Sequence, residues 1–248
     1  MSDELDRPSD EVASPSGQGE VPAPVGGDSL GCGPEHGLRA GSGGRGVSPE
    51  SAGPDRATRY LDTARGVLSY SAIAPLLAEQ VLRLEAQIYA GAFAGRPLDE
   101  SLVADFHRAI CAELVPDWAG RWRTVEVRVG NLQPPLPSQV PMRMRDYGRD
   151  LSARWDEAST STGDLTLEFL AFAEGRFLSI HPFRDFNGRT VRLFLIEILR
   201  RMDLPRVGLA PDNDKEREQY FLALEAADRA DWRPLMGIWM ERFSRAVV

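Results

Sequence analysis

His181-Pro182-Phe183-Arg184-Asp185-Phe186-Asn187-Gly188-Arg189-Thr190-Val191-Arg192 is the stretch on which the reading of this chain turns. It places a potential base, a potential metal ligand, a helix start and two arginines within twelve residues. Upstream, Leu167, Leu170, Phe177 and Ile180 recur at helical spacing, which predicts a helix from about Leu165 to Ile180 with Asp164 as its N-cap. Pro182 disfavours helical geometry at His181, so that helix ends there. Downstream, Val191, Leu193, Phe194, Leu195, Ile196, Ile198 and Leu199 make Gly188–Met202 apolar on nearly every side, the pattern of a buried central helix. Asn187 suits its N-cap. The twelve residues therefore form a loop between two helices that ends at the N-terminus of the buried one.

A helix N-terminus presents N–H groups and a partial positive charge, so it accepts anions. Gly188 lets a phosphate come close to the backbone. Arg189 and Arg192, three apart, share one face of the first turn. There they oppose the helix dipole at roughly 0.3–1 kcal/mol each. A local rule broken twice in one turn points to function, because bound phosphate reverses the sign of that cost. Asp185 suits Mg2+, which is usually held by one or two carboxylates plus phosphate oxygens. His181 can take a proton near neutral pH, as activation of an incoming hydroxyl requires. Taken singly, each residue has a plainer reading as loop histidine, helix cap or solvated face. Their joint arrangement suits a site for a nucleoside triphosphate.

The stretch resembles the signature of the Fic (Fido) family, H-x-F-x-[DE]-G-N-G-R-x-x-R. His181, Phe183, Asp185, Asn187, Gly188, Arg189 and Arg192 match it, and Phe186 departs from it where the family has a small residue, usually Gly. Phe106-His107-Arg108, followed by Pro116-Asp117-Trp118-Ala119-Gly120-Arg121-Trp122-Arg123, is similar to the family's early helix and its G-x-x-R turn. The Pro-rich stretch 133–142 stands where the family has a β-hairpin flap, and Tyr220 to Leu235 resembles its closing helices. The likeness covers about residues 100–240.

The resemblance implies a mainly α fold, with a central buried helix and a small β-hairpin flap near 124–142. It implies AMP transfer from ATP to a Ser, Thr or Tyr hydroxyl of a target protein, with release of pyrophosphate. His181 would be the base and Asp185 would hold Mg2+ on the phosphates. Asn187 and Gly188 would shape the anion hole, Arg189 and Arg192 would bind the distal phosphates, and Phe183 would anchor the loop in the core. Some relatives transfer UMP, phosphocholine or a phosphate instead. A Fic-fold interaction module weakened by Phe186 is the reading of a different class. Gly takes φ > 0 freely and Phe only with strain, so either the loop runs in ordinary geometry at Phe186 or it is rebuilt, with the ring free to pack beneath it. The family's inhibitory helix, [ST]-x-x-x-E-[GN], has no match outside Ser16…Glu20, which lacks the final Gly or Asn. A separate antitoxin-like partner could supply one.

The rest of the 248 residues sets bounds. The first 55 contain no Phe, Trp or Tyr, hold 12 of the 23 Gly and 7 of the 18 Pro, and carry 10 acidic against 3 basic residues. Such a segment cannot bury enough apolar surface to fold, so residues 1–56 are expected to be a disordered acidic tail. The net charge of −8 is then mostly in the tail, leaving the remainder close to neutral. Residues 57–99 are expected to be a helical extension packed on the core. In it, Tyr60 to Leu68 form a short helix and Pro75 opens a longer one running through Leu76, Leu77, Val81, Leu82, Leu84, Ile88 and Tyr89. Residues 100–248 complete the Fic-type domain. No ordinary signal peptide and no 18-residue apolar run is present, so the expectation is a cytoplasmic protein without a membrane span, leaving export by another route open. Cys32 and Cys111 are too few for a disulfide framework, and no Cys/His spacing suggests zinc. Basic residues are dispersed rather than clustered, which argues against a nucleic-acid face. His36 and His107 read as surface or packing residues.

Overall fold

The computed structural model describes residues 60–129, 132–161 and 163–246. The expected tail, 1–56, lies outside them. The described chain begins with an antiparallel hairpin, β1 (Tyr60–Thr63) and β2 (Gly66–Ser69), in the register Tyr60↔Ser69, Leu61↔Leu68, Asp62↔Val67 and Thr63↔Gly66. The expected short helix over Tyr60 to Leu68 is therefore replaced by two strands. The Thr63 hydroxyl donates to the Gly66 carbonyl at 2.7 Å, and Gly66 takes φ +92°, closing a turn that a helix could not accommodate. Leu61 and Leu68, directly paired, turn the same face toward the core.

Helix α1 (Tyr70–Tyr89) follows without a break, capped by the Ser69 hydroxyl, which accepts from the Ala72 N–H. It starts a turn and a half before Pro75, which was expected to open it. Pro75 sits inside the helix, close enough to the start that little more than one backbone hydrogen bond is forfeited. Ile73, Leu77, Leu84 and Ile88 form its buried stripe. Helix α2 (Glu100–Cys111) is capped by the Asp99 carboxylate, which accepts from the Ser101 and Leu102 N–H groups.

No hairpin forms over 124–142 among the described residues. The segment runs extended, with a single antiparallel bridge between Val129 and Leu132 and a 3-10 turn at Pro137–Gln139. Residues from Val140 on belong to α3 (Val140–Thr160), a helix that the sequence reading did not separate from the Pro-rich stretch. Its buried stripe, Val140, Met144, Tyr147 and Leu151, has helical spacing, and Pro141 lies in the first turn, where proline is tolerated.

Helix α4 (Asp164–Ile180) has Gly163 at the N-cap, so Asp164 is its first residue instead of the cap. After the motif loop comes α5 (Asn187–Arg201), then α6 (Asp214–Ala227) and α7 (Arg233–Ala246). Helix α5 is the centre of the packing. It lies against α1, α2 and α4, and Leu193, Phe194 and Leu199 are all buried. Helix α4 packs in turn on α3, α6 and α7. The α4 side of this layer holds a buried ion pair. Arg242 Nη1 donates to Glu174 Oε2 at 2.7 Å, and Tyr220 donates to Glu174 Oε1 at 2.7 Å.

Candidate active site

The loop between α4 and α5 is fixed from its own ends inward. His181 is the C-cap of α4 in the left-handed conformation (φ +48°), with its N–H bonded to the Phe177 carbonyl at 2.9 Å. Pro182 forbids a further helical turn and the chain reverses. Phe186 is the N-cap of α5, also left-handed at φ +62°, and it contributes no side-chain cap. Asn187, expected at the N-cap, is the first helical residue. Its side chain reaches back across the loop instead. Oδ1 accepts from the Phe183 N–H and Nδ2 donates to the Phe183 carbonyl, both at 3.0 Å. That two-way clamp closes residues Phe183 to Asn187 into a ring of five.

Side chains from other elements hold the ring. Arg123, almost fully buried, donates through Nε to the His181 carbonyl at 2.8 Å, and through Nη1 and Nη2 to the Val125 carbonyl at 3.1 Å and the Pro135 carbonyl at 2.5 Å. One guanidinium thus ties the backbone of His181 to the extended segment beside it. From α2, His107 lies fully buried and parallel to Phe183, with ring centroids 3.8 Å apart. The Gly120 N–H donates to His107 Nδ1 at 2.8 Å, so the ring proton sits on Nε2, which donates to the Asp185 carbonyl at 3.1 Å. Burial pushes the His107 pKa down from 6.5 to about 3, which keeps the ring neutral and that tautomer in place. The reading of His107 as a packing residue is therefore incomplete, since it joins α2, the Gly120 turn and the loop.

The motif side chains come together around this scaffold. His181 is 1% exposed and Asp185 is 3% exposed. Asp185 Oδ1 accepts the Phe186 N–H at 2.7 Å, and Oδ2 accepts the phenol of Tyr70, the first residue of α1. Phe183 is fully buried. Gly188, Arg189 and Arg192 occupy the first turns of α5, all partly exposed. Burial holds the Tyr220 phenol pKa well above its ordinary value, and the charge of Arg192 is a minor opposing effect. Phe186 is fully buried, stacked on Trp118 at 5.7 Å and flanked by Tyr70 at 6.4 Å and His107 at 6.3 Å. The backbone thus keeps the left-handed geometry that a Gly would take freely, and an aromatic cluster holds the ring beneath the loop.

Sequence reasoning missed Tyr70, which reaches the loop from 115 positions away and carries no local mark. Arg123 was visible only as the end of a G-x-x-R turn.

The fold and the loop define an α-helical domain built around an anion-accepting helix start with a histidine at its mouth. Residues 97–199 match the model of the Fic/DOC family. That stretch of the chain is similar to the Fic/DOC family. It is 34% identical over 135 residues to protein adenylyltransferase fic-1 of Caenorhabditis elegans, covering 54% of this chain and 25% of that protein. It is 31% identical over 134 residues to protein adenylyltransferase Fic of Nematostella vectensis, covering 54% and 30%. The match thus spans only a quarter to a third of these relatives. Among solved structures, the BepC protein of Bartonella tribocorum with bound AMPPNP superposes with a TM-score of 0.58 at 15% identity, covering 76% of this chain and 94% of that one. Fic-1 (residues 134–508) of C. elegans gives 0.52 at 25% identity, covering 69% and 49%.

Proposed function

We propose that this protein transfers AMP from ATP to a Ser, Thr or Tyr hydroxyl of a target protein. The target oxygen attacks the α-phosphorus, the bond to the β-phosphate breaks, and pyrophosphate leaves. His181 takes the hydroxyl proton. The first turn of α5, with Gly188, Arg189 and Arg192, binds the phosphates through backbone N–H groups and charge. Asn187 acts on that turn indirectly, by closing the ring onto Phe183. The observation that carries the reading is this joint placement: a histidine at the end of one helix, its carbonyl held by Arg123, and the start of the next helix a loop away, with the loop closed by the Asn187–Phe183 clamp. Reactions of this kind need positioning and charge stabilisation more than reactive side chains.

Mg2+ fits the donor set. Among the described residues no group of three or more His, Cys, Asp or Glu gathers into a closed cage. Asp185 alone in the loop suits an ion that takes one protein carboxylate and completes its shell with phosphate oxygens and water. When bound, it would neutralise charge on the triphosphate. The partners of this reading are ATP, the target protein and, for control, a separate inhibitory protein standing in for the missing inhibitory helix. It needs neither nucleic acid nor membrane. No helix among the described residues is long and apolar enough to cross a bilayer. The reading takes the cytoplasm, where ATP is abundant, as the place of reaction and leaves export by another route open.

Incubation with α-32P-labelled ATP and Mg2+ tests the reading. Wild type should label protein, and His181→Ala should lose roughly 10²–10⁴-fold in rate while still binding nucleotide. Equal labelling by both removes His181 as the base. Labelling from UTP in preference to ATP redirects the reading to another transferred group.

A further inference from the structure

Three named donors converge on Asp185. Its carbonyl receives His107 Nε2, its Oδ1 receives the Phe186 N–H, and its Oδ2 receives the Tyr70 phenol. The first two belong to the loop and to the helix beneath it. The third comes from α1, outside residues 97–199, so the family match assigns it nothing. The phenol is itself held in place. Ser69 caps the helix it opens, Ile73 and Leu77 in the next two turns are fully buried, and the Phe186 ring lies 6.4 Å from its own.

A carboxylate has two oxygens and about four lone-pair sites. A donor on each oxygen fixes the rotation of the group about its own bond. Ligating carboxylates are characteristically hydrogen-bonded in this way, because an ion bound through one or two oxygens is sensitive to where they point. We propose that Tyr70 is a positioning residue that orients the Asp185 carboxylate toward a divalent cation carried on a nucleoside triphosphate. The inference rests on the reading of Asp185 as the cation's ligand. It also gives the Phe at position 186 a task that a Gly could not perform, since its ring supports the tyrosine ring from the side. The opposite geometry, in which the phenol takes the lone pair the cation needs, predicts an effect of opposite sign.

Binding of Mn2+, followed by water-proton relaxation in the presence of α,β-methylene-ATP, reads the cation without turnover. Wild type, Tyr70→Phe and Asp185→Asn are compared, each with its thermal transition. Tyr70→Phe removes one oxygen and keeps the ring. It should weaken Mn2+ binding by roughly 10–100-fold with Tm nearly unchanged. In the transfer reaction the Mg2+ concentration for half-maximal rate should rise by a similar factor, with the rate at saturating Mg2+ retained. Asp185→Asn should weaken Mn2+ at least as much. Unchanged or tighter Mn2+ binding in Tyr70→Phe, with Asp185→Asn still weakened, overturns the role of Tyr70. So does weaker binding that comes with loss of the thermal transition. Wild-type Mn2+ binding by Asp185→Asn overturns the reading of the carboxylate itself.

Discussion

A phenylalanine at φ +62° holds a conformation that costs of order 1–3 kcal/mol outside Gly, and persists only where its surroundings over-determine it. At Phe186 the surroundings are Trp118, Tyr70 and His107, and burial of the ring is complete. The ring therefore offsets the strain that the backbone carries. Phe186→Gly removes both at once. A buried Phe cut down to a small residue loses about 3–5 kcal/mol, and relief of the left-handed strain returns about 1 kcal/mol. The expected net loss is about 2–4 kcal/mol, read from urea denaturation, with nucleotide preference among ATP, UTP, CTP and GTP unchanged. A switch of nucleotide at unchanged stability would show that the ring selects the base. The departure from the family pattern was plain in the sequence, whereas the identity of the rings that accommodate it was not. Those come from positions 70, 107 and 118, brought together only by folding.

The elements differ in how far they could be read. Helices α4 and α5 were legible because long apolar patterns with a proline and a capping residue between them leave few alternatives. Thr124–Val129 alternates as a strand does, but alternation reports a half-buried extended chain and says nothing about a partner strand. The backbone there is tied by Arg123 instead, with one bridge at Val129. Tyr60 to Leu68 is too short for its period to be decided locally. What joins the elements is less legible still, and His107 is the clearest case. Its pKa, lowered from 6.5 to about 3, makes it a group that the unfolded chain protonates first. Stability from this residue is complete above pH 6.5 and falls as pH drops toward 3, by about 1.4 kcal/mol per pH unit. Denaturation at pH 7.5 and 5.5 should show that extra loss in wild type and not in His107→Gln, which retains a side-chain donor. Parallel losses in both proteins would assign the acid sensitivity elsewhere.

At the scale of the molecule, the folded core is larger than the family match. Fully buried side chains run from Ile73 in α1 to Trp239 in α7, on either side of residues 97–199. The N-terminal extension supplies a partner for α5 and the C-terminal helices cover α4. The second of these contacts is charged. Glu174 is fully buried, and Arg242, which it holds, also lies over the Trp239 ring at 4.6 Å. Removing one member of such a pair leaves the other buried without a counter-charge. Glu174→Ala should lose about 3–5 kcal/mol in chemical denaturation, although the side chain belongs to none of the motif positions. A loss below about 1 kcal/mol would mean that water reaches Arg242 once its partner is gone.

The loop's closure leaves a mark on individual amide protons. Gly120, Phe183 and Phe186 donate their N–H groups to side chains, namely His107 Nδ1, Asn187 Oδ1 and Asp185 Oδ1. None of the three donates to a backbone carbonyl of a helix or a sheet. Exchange of the Phe183 and Phe186 amides with deuterated solvent reports the opening of the ring, and that of Gly120 reports release of the His107 ring that supports it. Two amides thus time the opening of the loop directly, the third times its support, and a nucleotide that seats on the loop should slow the exchange of Phe183 and Phe186 together.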